Sequence, residues 1–145
     1  MSHITVTTHL PASPETVWRD IADLATHIEW MADAHAIAFL TPQRSGVGTR
    51  MQVETRFGPL RTTDVMEITA WDEGQSMAVA HQGLFTGRGA FSLAPEAAGT
   101  RFSWSEQIVF PWFFGGPLGA WLARPIFRWV WGRNLRRLRA RFSAR

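Results

Sequence analysis

The chain has 145 residues, of which 46% are hydrophobic and 19% are charged. This composition is typical of a globular protein and excludes a disordered, collagen-like or coiled-coil chain. Because cysteine is absent, disulfides, thiol nucleophiles and Cys-ligated zinc or iron–sulfur sites are also excluded. The length predicts a single domain over residues 1–145, large enough to bury about 70% of its unfolded surface.

Charge is distributed unevenly along the chain. Residues 1–123 contain 7 Arg and all 12 acidic residues, whereas residues 124–145 contain 8 Arg and no acidic residue. The basic character therefore belongs to the C-terminal segment. Met1–Leu10 lacks the charged start and apolar run of a signal peptide, so we expect a cytoplasmic location.

The first elements are predicted to be one strand and two short helices. Apolar residues alternate over Ile4–Leu10, which is the period of a half-buried strand. Ser13 then precedes a proline and a glutamate, the arrangement expected at a helix N-terminus. Helical spacing of apolar residues follows, and a second short helix is predicted over Leu24–Met31.

Six further strands are predicted from alternating apolar runs that are separated by turn residues. The runs are His35–Leu40, Thr49–Phe57, Leu60–Trp71, Gln75–Gln82, Thr86–Leu93 and Thr100–Phe110. The separators are rich in glycine, proline and aspartate, which are residues that tight turns require. Together with the first strand, these runs predict an antiparallel meander of seven strands.

The C-terminal segment predicts one long helix that begins near Pro117, after the apolar loop 111–116. One face of this helix is predicted to pack on the sheet. It comprises Phe127, Val130, Trp131, Asn134, Leu138 and Phe142. Pro125 predicts a kink or a break near Ala123–Pro125, because proline lacks the amide donor that a helix interior needs. The weakly charged run Ile108–Ala123 has 16 residues, too few to span a bilayer.

The order of these elements predicts an α+β fold. A seven-stranded antiparallel curved sheet would bury one face against the single long C-terminal helix, with two short helices after the first strand. A sheet that wraps around a helix leaves a gap between the two. Concave apolar gaps are the usual sites for small molecules, so we expect a ligand cavity between the sheet and the C-terminal helix.

Several segments carry a family resemblance through their order and spacing. They are Pro11–Trp18 after the opening strand, the region of Trp30, Gly99–Glu106, Phe110–Gly119 and Asn134–Leu138. With these segments the chain resembles the START-like (SRPBCC) superfamily, and within it the bacterial polyketide cyclase/dehydrase-like proteins, over nearly its whole length. The resemblance implies a helix-grip fold with an internal cavity for lipids, polyketides or other apolar small molecules. Because family members include both enzymes and binding proteins, fold alone leaves the function open.

Three ionisable residues are candidates for the polar part of the cavity. Glu106 shares one face of the last strand with Trp104 and other apolar residues, so its carboxylate would be partly desolvated and suited to bind a hydroxyl or transfer a proton. His81 and Asp64 also share the parity of apolar neighbours and would complete a proton-transfer trio. The alternatives are that Glu106 pairs with an arginine or lies at the sheet margin, and that His81 and Asp64 face solvent.

The leading hypothesis is the binding or transport of a hydrophobic small molecule in this cavity. The predicted ligand-binding residues are Trp30, Met51, Val53, His81, Phe91, Trp104, Glu106, Leu122 and Trp129. The alternative is a cyclase or dehydratase in which Glu106 and His81, together with Asp64, transfer protons. No cofactor and no metal are expected, because the histidines and acids within His27–His35 match no zinc motif.

A third hypothesis is peripheral membrane contact through the loop 111–116 and the arginine-rich C-terminal helix. Aromatic residues would enter the lipid interface while arginines meet anionic headgroups. These residues are Trp112, Phe113, Phe114 and Trp121, with Arg124, Arg128 and Arg133. The alternative is a core helix whose arginines are solvated. The chain shows no recognised nucleic-acid module, so no nucleic-acid partner is expected, and its oligomeric state stays open.

Overall fold

The computed structural model describes residues 2–84 and 86–143. Two short 3₁₀ helices, seven strands and two α-helices follow one another along the chain. They are β1 (Ser2–Leu10), α1 (Pro14–Ile21), the first 3₁₀ helix (Leu24–Glu29), β2 (Ala34–Phe39), β3 (Arg50–Phe57), β4 (Leu60–Asp72), β5 (Ser76–Gln82), β6 (Thr86–Glu96), β7 (Gly99–Val109), the second 3₁₀ helix (Trp112–Phe114) and α2 (Gly116–Ser143). The predicted strands agree with the observed ones to within a few residues at each end.

The strands form one antiparallel sheet in the order β1-β7-β6-β5-β4-β3-β2. Strands β2 to β7 pair with their chain neighbours as a meander, and β1 lies beside β7 with Ile4 opposite Glu106. The sheet is curved and open, and α2 packs on it mainly through β1. The predicted α+β helix-grip fold is therefore confirmed.

The start of α1 follows from its sequence. The Ser13 hydroxyl accepts a hydrogen bond from the Thr16 amide at 3.2 Å, and Pro14 occupies the first helical position. The second predicted helix is a short 3₁₀ helix that ends at Glu29 rather than Met31. The Thr26 hydroxyl, which donates to the Asp23 carbonyl at 2.8 Å, competes with the regular helical pattern there.

Helix α2 differs from its prediction at Pro125. It runs without a break from Gly116 to Ser143 with Pro125 inside it, so the predicted break is wrong. Pro125 lies on the solvent-exposed side of the helix. Water can therefore bond the carbonyl that loses its helical donor, which lets the helix continue through the proline.

Polar side chains join α2 to the segment around the first 3₁₀ helix. Arg141 donates to both carboxylate oxygens of Asp20, at 2.8 and 2.9 Å, and to Glu29 at 3.0 Å. The fully buried Asn134 accepts from the Ala32 amide at 2.9 Å and donates to Asp33 at 2.6 Å. These bonds fix the inner face of α2 over the sheet.

The described part of the chain contains no helix that is both long enough and apolar enough to cross a bilayer.

Candidate functional site

A cavity of about 150 Å³ lies between the sheet and α2. Its walls come from β2 to β7, from α2 and from the segment around the first 3₁₀ helix. Most of the lining side chains are apolar. They include Ile37, Met51, Val53, Met66, Ile68, Met77, Val79, Phe91, Trp104, Ile108, Phe127 and Trp131. The space between the sheet and α2 is therefore mainly apolar.

Four of the predicted apolar walls line this cavity, namely Met51, Val53, Phe91 and Trp104. Trp30 does not, so its prediction as a wall is wrong. Its side chain is fully buried behind the wall, with ring centroids 5.8 Å from Phe91 and 6.0 Å from Trp104. Trp30 therefore supports the aromatic wall from behind rather than facing a ligand.

Leu122 and Trp129 are also wrong as predicted walls. Both are 60% exposed and lie on the outer face of α2. The α2 side chains that do line the cavity are Phe127 and Trp131. Each helical residue is rotated by about 100° from the last, so Trp129 points about 200° away from both of them. The cavity-facing stripe is thus the one that the sequence predicts to pack on the sheet, whereas Leu122 and Trp129 belong to the opposite stripe.

Glu106 and His81 form the polar part of the cavity. His81 Nε2 lies 3.0 Å from Glu106 Oε2, and the Trp104 indole donates to Glu106 Oε1 at 3.0 Å. Both side chains of the His81–Glu106 pair are almost fully buried. A buried carboxylate requires such donors, because an unpaired charge is costly in an apolar site. The alternatives of an arginine pair for Glu106 and a solvent-facing His81 are therefore wrong.

Glycines in β6 explain how His81 and Glu106 meet, since their strands β5 and β7 are separated by β6. Gly89 pairs with Glu106 in the sheet register, and Gly87 pairs with His81. A Cβ on Gly89 would lie 2.4 Å from Glu106 Oε1. The missing side chain of Gly89 thus leaves the space in which the carboxylate reaches across β6.

Asp64 completes the polar cluster from β4. It is 6% exposed, lines the same cavity and lies so close to Gly83 that a Cβ there would be 1.8 Å from Asp64 Oδ1. Burial raises the pKa of Asp64, and the neighbouring His81 charge opposes that rise. All three residues of the predicted trio therefore face one apolar cavity, which is the geometry that the proton-transfer hypothesis requires.

The cavity also contains residues that the sequence analysis missed. Besides Phe127 and Trp131 of α2, His27 lines it and donates a hydrogen bond from Nε2 to the Ile21 carbonyl at 2.7 Å. Burial lowers the pKa of His27, which favours the neutral form of its imidazole. The Gly87-x-Gly89 pattern inside a strand was the available signal for a close approach. Among the described residues, no three histidine or acidic side chains cluster as metal ligands do.

Replacing Asp64 with asparagine is expected to stabilise the protein more at about pH 7 than at about pH 4. Because the folded-state pKa of Asp64 is raised, its contribution to stability is fully present below the unfolded-state value and is lost as the pH rises through the folded-state value. Asparagine does not titrate and removes this loss. Urea unfolding at the two pH values measures the effect, with the exposed Asp72→Asn variant as the control. Equal gains in both variants would contradict the prediction.

Comparisons with known proteins agree with this architecture. TTHA0849 from Thermus thermophilus has a TM-score of 0.82 and 21% identity, with 99% of this chain and 98% of that chain covered. XoxI from Bacillus cereus has a TM-score of 0.76 and 15% identity, with 98% and 96% covered. Ara h 8.0201 has a TM-score of 0.71 and 13% identity, with 99% of each chain covered. At these identities the likeness shows a shared fold alone.

Sequence comparison supplies the family. No curated protein matches the chain. The profile of the family described as polyketide cyclase / dehydrase and lipid transport matches residues 1–145, the whole sequence. The chain therefore belongs to the polyketide cyclase/dehydrase and lipid transport family.

Proposed function

We propose that the protein binds a small, mostly apolar molecule that carries one polar group, and that residues 1–145 form one START-like domain for this purpose. The observation that supports the proposal is the cavity itself, where an aromatic and aliphatic lining surrounds one buried carboxylate–imidazole pair. The family description, which includes lipid transport, agrees with a hydrophobic ligand. In this proposal Phe91 and Trp104 contact the apolar part, and Glu106 and His81 orient the polar group.

The size of the cavity limits the ligand. A cavity of about 150 Å³ is comparable to apolar cavities that hold benzene. A single ring therefore fits without rearrangement. A fused-ring polyketide or an acyl chain requires the walls to move, and the flexible side chains of Met51, Met66 and Met77 are the lining residues best suited to do so.

The polar pair is suited to a hydroxyl or carbonyl group on the ligand. Glu106 Oε1 accepts a hydrogen bond from the Trp104 indole, and Oε2 contacts His81 Nε2. Because each carboxylate oxygen has two lone pairs, Glu106 can also accept a hydrogen bond from a ligand hydroxyl. Burial of one ring contributes about 1.5–3 kcal/mol, and a hydrogen bond to a charged group about 1.5–3 kcal/mol. A ring-sized probe is therefore expected to bind with a Kd no lower than about 0.04 mM.

Titration with phenol and toluene, followed by NMR of the side chains that line the cavity, tests this proposal. The two probes have nearly the same size, so their difference reports the polar group. We expect phenol to bind several-fold more tightly than toluene, because only phenol donates to Glu106. Glu106→Gln is expected to reduce that preference, whereas Glu67→Gln, an exposed site on β4 that pairs with Arg50, leaves it unchanged.

Two results would overturn the proposal. The first is the absence of binding by both probes to a folded wild-type protein. The second is binding that shifts no resonance of the cavity lining. Trp104→Phe provides a further check, because it keeps an aromatic wall but removes the indole donor that holds Glu106 Oε1. We expect this variant to lose phenol preference while it retains toluene binding.

The second candidate function is a dehydratase or cyclase, which is favoured by the 3.0 Å contact between His81 and Glu106 in a cavity that also contains Asp64. In a dehydration, one group would remove the proton next to a carbonyl while another protonates the departing hydroxyl, so that a C=C bond and water form. Assay of a β-hydroxy ketone by the absorbance of its enone product tests this candidate. Loss of turnover by at least about 100-fold in both His81→Gln and Glu106→Gln would support it, and turnover that survives both substitutions would exclude it.

A further inference from the structure

Helix α2 has a second apolar stripe that faces solvent. Its members recur at helical spacing along the N-terminal half of the helix, so they lie on one face. They are Leu118, Trp121, Leu122, Ile126 and Trp129, and all are exposed. The cavity wall, with Phe127 and Trp131, belongs to the other face. The outer stripe therefore contributes nothing to the core and leaves large apolar side chains in water.

The second 3₁₀ helix extends this exposed surface. Trp112 is 86% exposed, and Phe113 and Phe114 are exposed beside it. The turn packs closely on the first turn of α2, because a Cβ on Gly119 would lie 1.8 Å from the Phe114 carbonyl oxygen. The aromatic turn and the outer stripe are thus held next to each other. We call them together the outer apolar surface, formed by Trp112–Phe114 and the outer stripe of α2.

Positive charge accompanies the outer apolar surface. The sequence contains no acidic residue after Glu106, and 8 Arg follow in residues 124–145. Within residues 2–84 and 86–143, neither Arg124 nor Arg128 forms an ion pair. Arg133 places its guanidinium 4.8 Å from the centre of the Trp129 ring. A cation therefore lies beside an exposed tryptophan, and Arg124 and Arg128 on the same half of the helix form no ion pair within the described residues.

We propose that the outer apolar surface docks on a lipid bilayer that contains anionic lipids. Stable peripheral binding combines apolar side chains that enter the interface with cations that meet the headgroups, and this surface provides both. Tryptophan is the residue favoured at the headgroup level. A second copy of this chain fits less well, because apposed α2 helices would bring two arginine rows together without acids between them.

Flotation with lipid vesicles tests this proposal. One set contains phosphatidylcholine alone, and the other contains equal parts of phosphatidylcholine and phosphatidylglycerol. We expect binding to the anionic vesicles that weakens with salt. The double substitution Trp121→Glu/Trp129→Glu is expected to weaken binding by at least about tenfold. The matched control is Leu40→Glu/Val47→Glu, which adds the same charges at exposed apolar residues between β2 and β3.

Brominated lipids provide a second readout, because bromine quenches tryptophan only at close range. Quenching is expected in the wild type and reduced when Trp112, Trp121 and Trp129 are replaced with phenylalanine. Glu106→Gln is expected to bind vesicles normally, which separates docking from the cavity function. The proposal is overturned by equal flotation of the double variant and the wild type, by no flotation with anionic vesicles, or by self-association that depends on Trp121 and Trp129 without vesicle binding.

Discussion

Replacing Trp30 with alanine is expected to lower the free energy of unfolding by about 3–5 kcal/mol, the usual cost of removing a fully buried aromatic side chain. The Trp30 side chain is 0% exposed. Its ring contacts His27, Phe91, Phe102 and Trp104 at centroid distances of 5.4–6.3 Å. The substitution removes the ring from the centre of this cluster and leaves a hole behind the cavity wall.

Trp129→Ala is the matched control for this prediction. It removes the same side chain from the exposed face of α2, where Trp129 contacts Arg133, so we expect a stability change within about 0.5 kcal/mol. Urea unfolding of both variants measures the contrast. Equal destabilisation by the two substitutions, or a loss below about 1 kcal/mol for Trp30→Ala, would contradict the contrast between a buried Trp30 and an exposed Trp129. Trp129→Ala is at the same time expected to weaken vesicle binding.

Most of the fold follows from local sequence signals. Each strand alternates apolar and polar residues between turns, and the antiparallel meander follows because short turns join consecutive strands. The start of α1 follows from the Ser13 cap. Of the kink or break predicted at Pro125, the break does not occur, because local sequence does not show whether a proline faces water or the core.

The cavity was predictable only in part. Met51, Val53, Phe91 and Trp104 line the cavity as strand parity predicts. Alternate side chains of a strand point to the same face, so the sequence pattern identifies that face. Helix α2 has apolar residues on both of its faces, so helical periodicity finds two stripes and does not say which faces the sheet. This explains why Leu122 and Trp129 were assigned to the cavity.

The sequence predicts that His81 and Glu106 face the same cavity, but it does not predict that their side chains touch. Parity places both side chains on the concave face of the sheet. The distance between them depends on the register of β5, β6 and β7, which the hairpin turns set. His81 and Glu106 are 25 residues apart in the sequence, so local patterns do not fix this distance. Gly89 of β6 then leaves the space in which the two side chains meet across the intervening strand.

Substitutions at Gly87 and Gly89 are expected to separate the role of β6 in folding from its role in the site. A Cβ on Gly87 would lie 1.9 Å from the backbone oxygen of Gln107. Backbone atoms of β7 cannot move without separating the two strands, so Gly87→Ala is expected to lower the free energy of unfolding by about 3 kcal/mol. The three atoms nearest to a Cβ on Gly89 all belong to the side-chain carboxylate of Glu106, which can shift without moving the backbone of β7. For Gly89→Ala we expect a smaller loss of about 1 kcal/mol.

Gly89→Ala is expected to disturb the polar cluster more than Gly87→Ala does. The reason is that the new methyl group at Gly89 displaces the Glu106 carboxylate, which contacts His81 at 3.0 Å. Urea unfolding measures stability, and the imidazole ¹⁵N chemical shifts of His81 report the contact. In Gly89→Ala we expect those shifts to change and the preference for phenol over toluene to fall in a folded protein. Unchanged His81 shifts in Gly89→Ala would mean that Glu106 reaches His81 without the space above Gly89. Gly87→Ala with wild-type stability would mean that β6 and β7 do not approach as closely as their register requires.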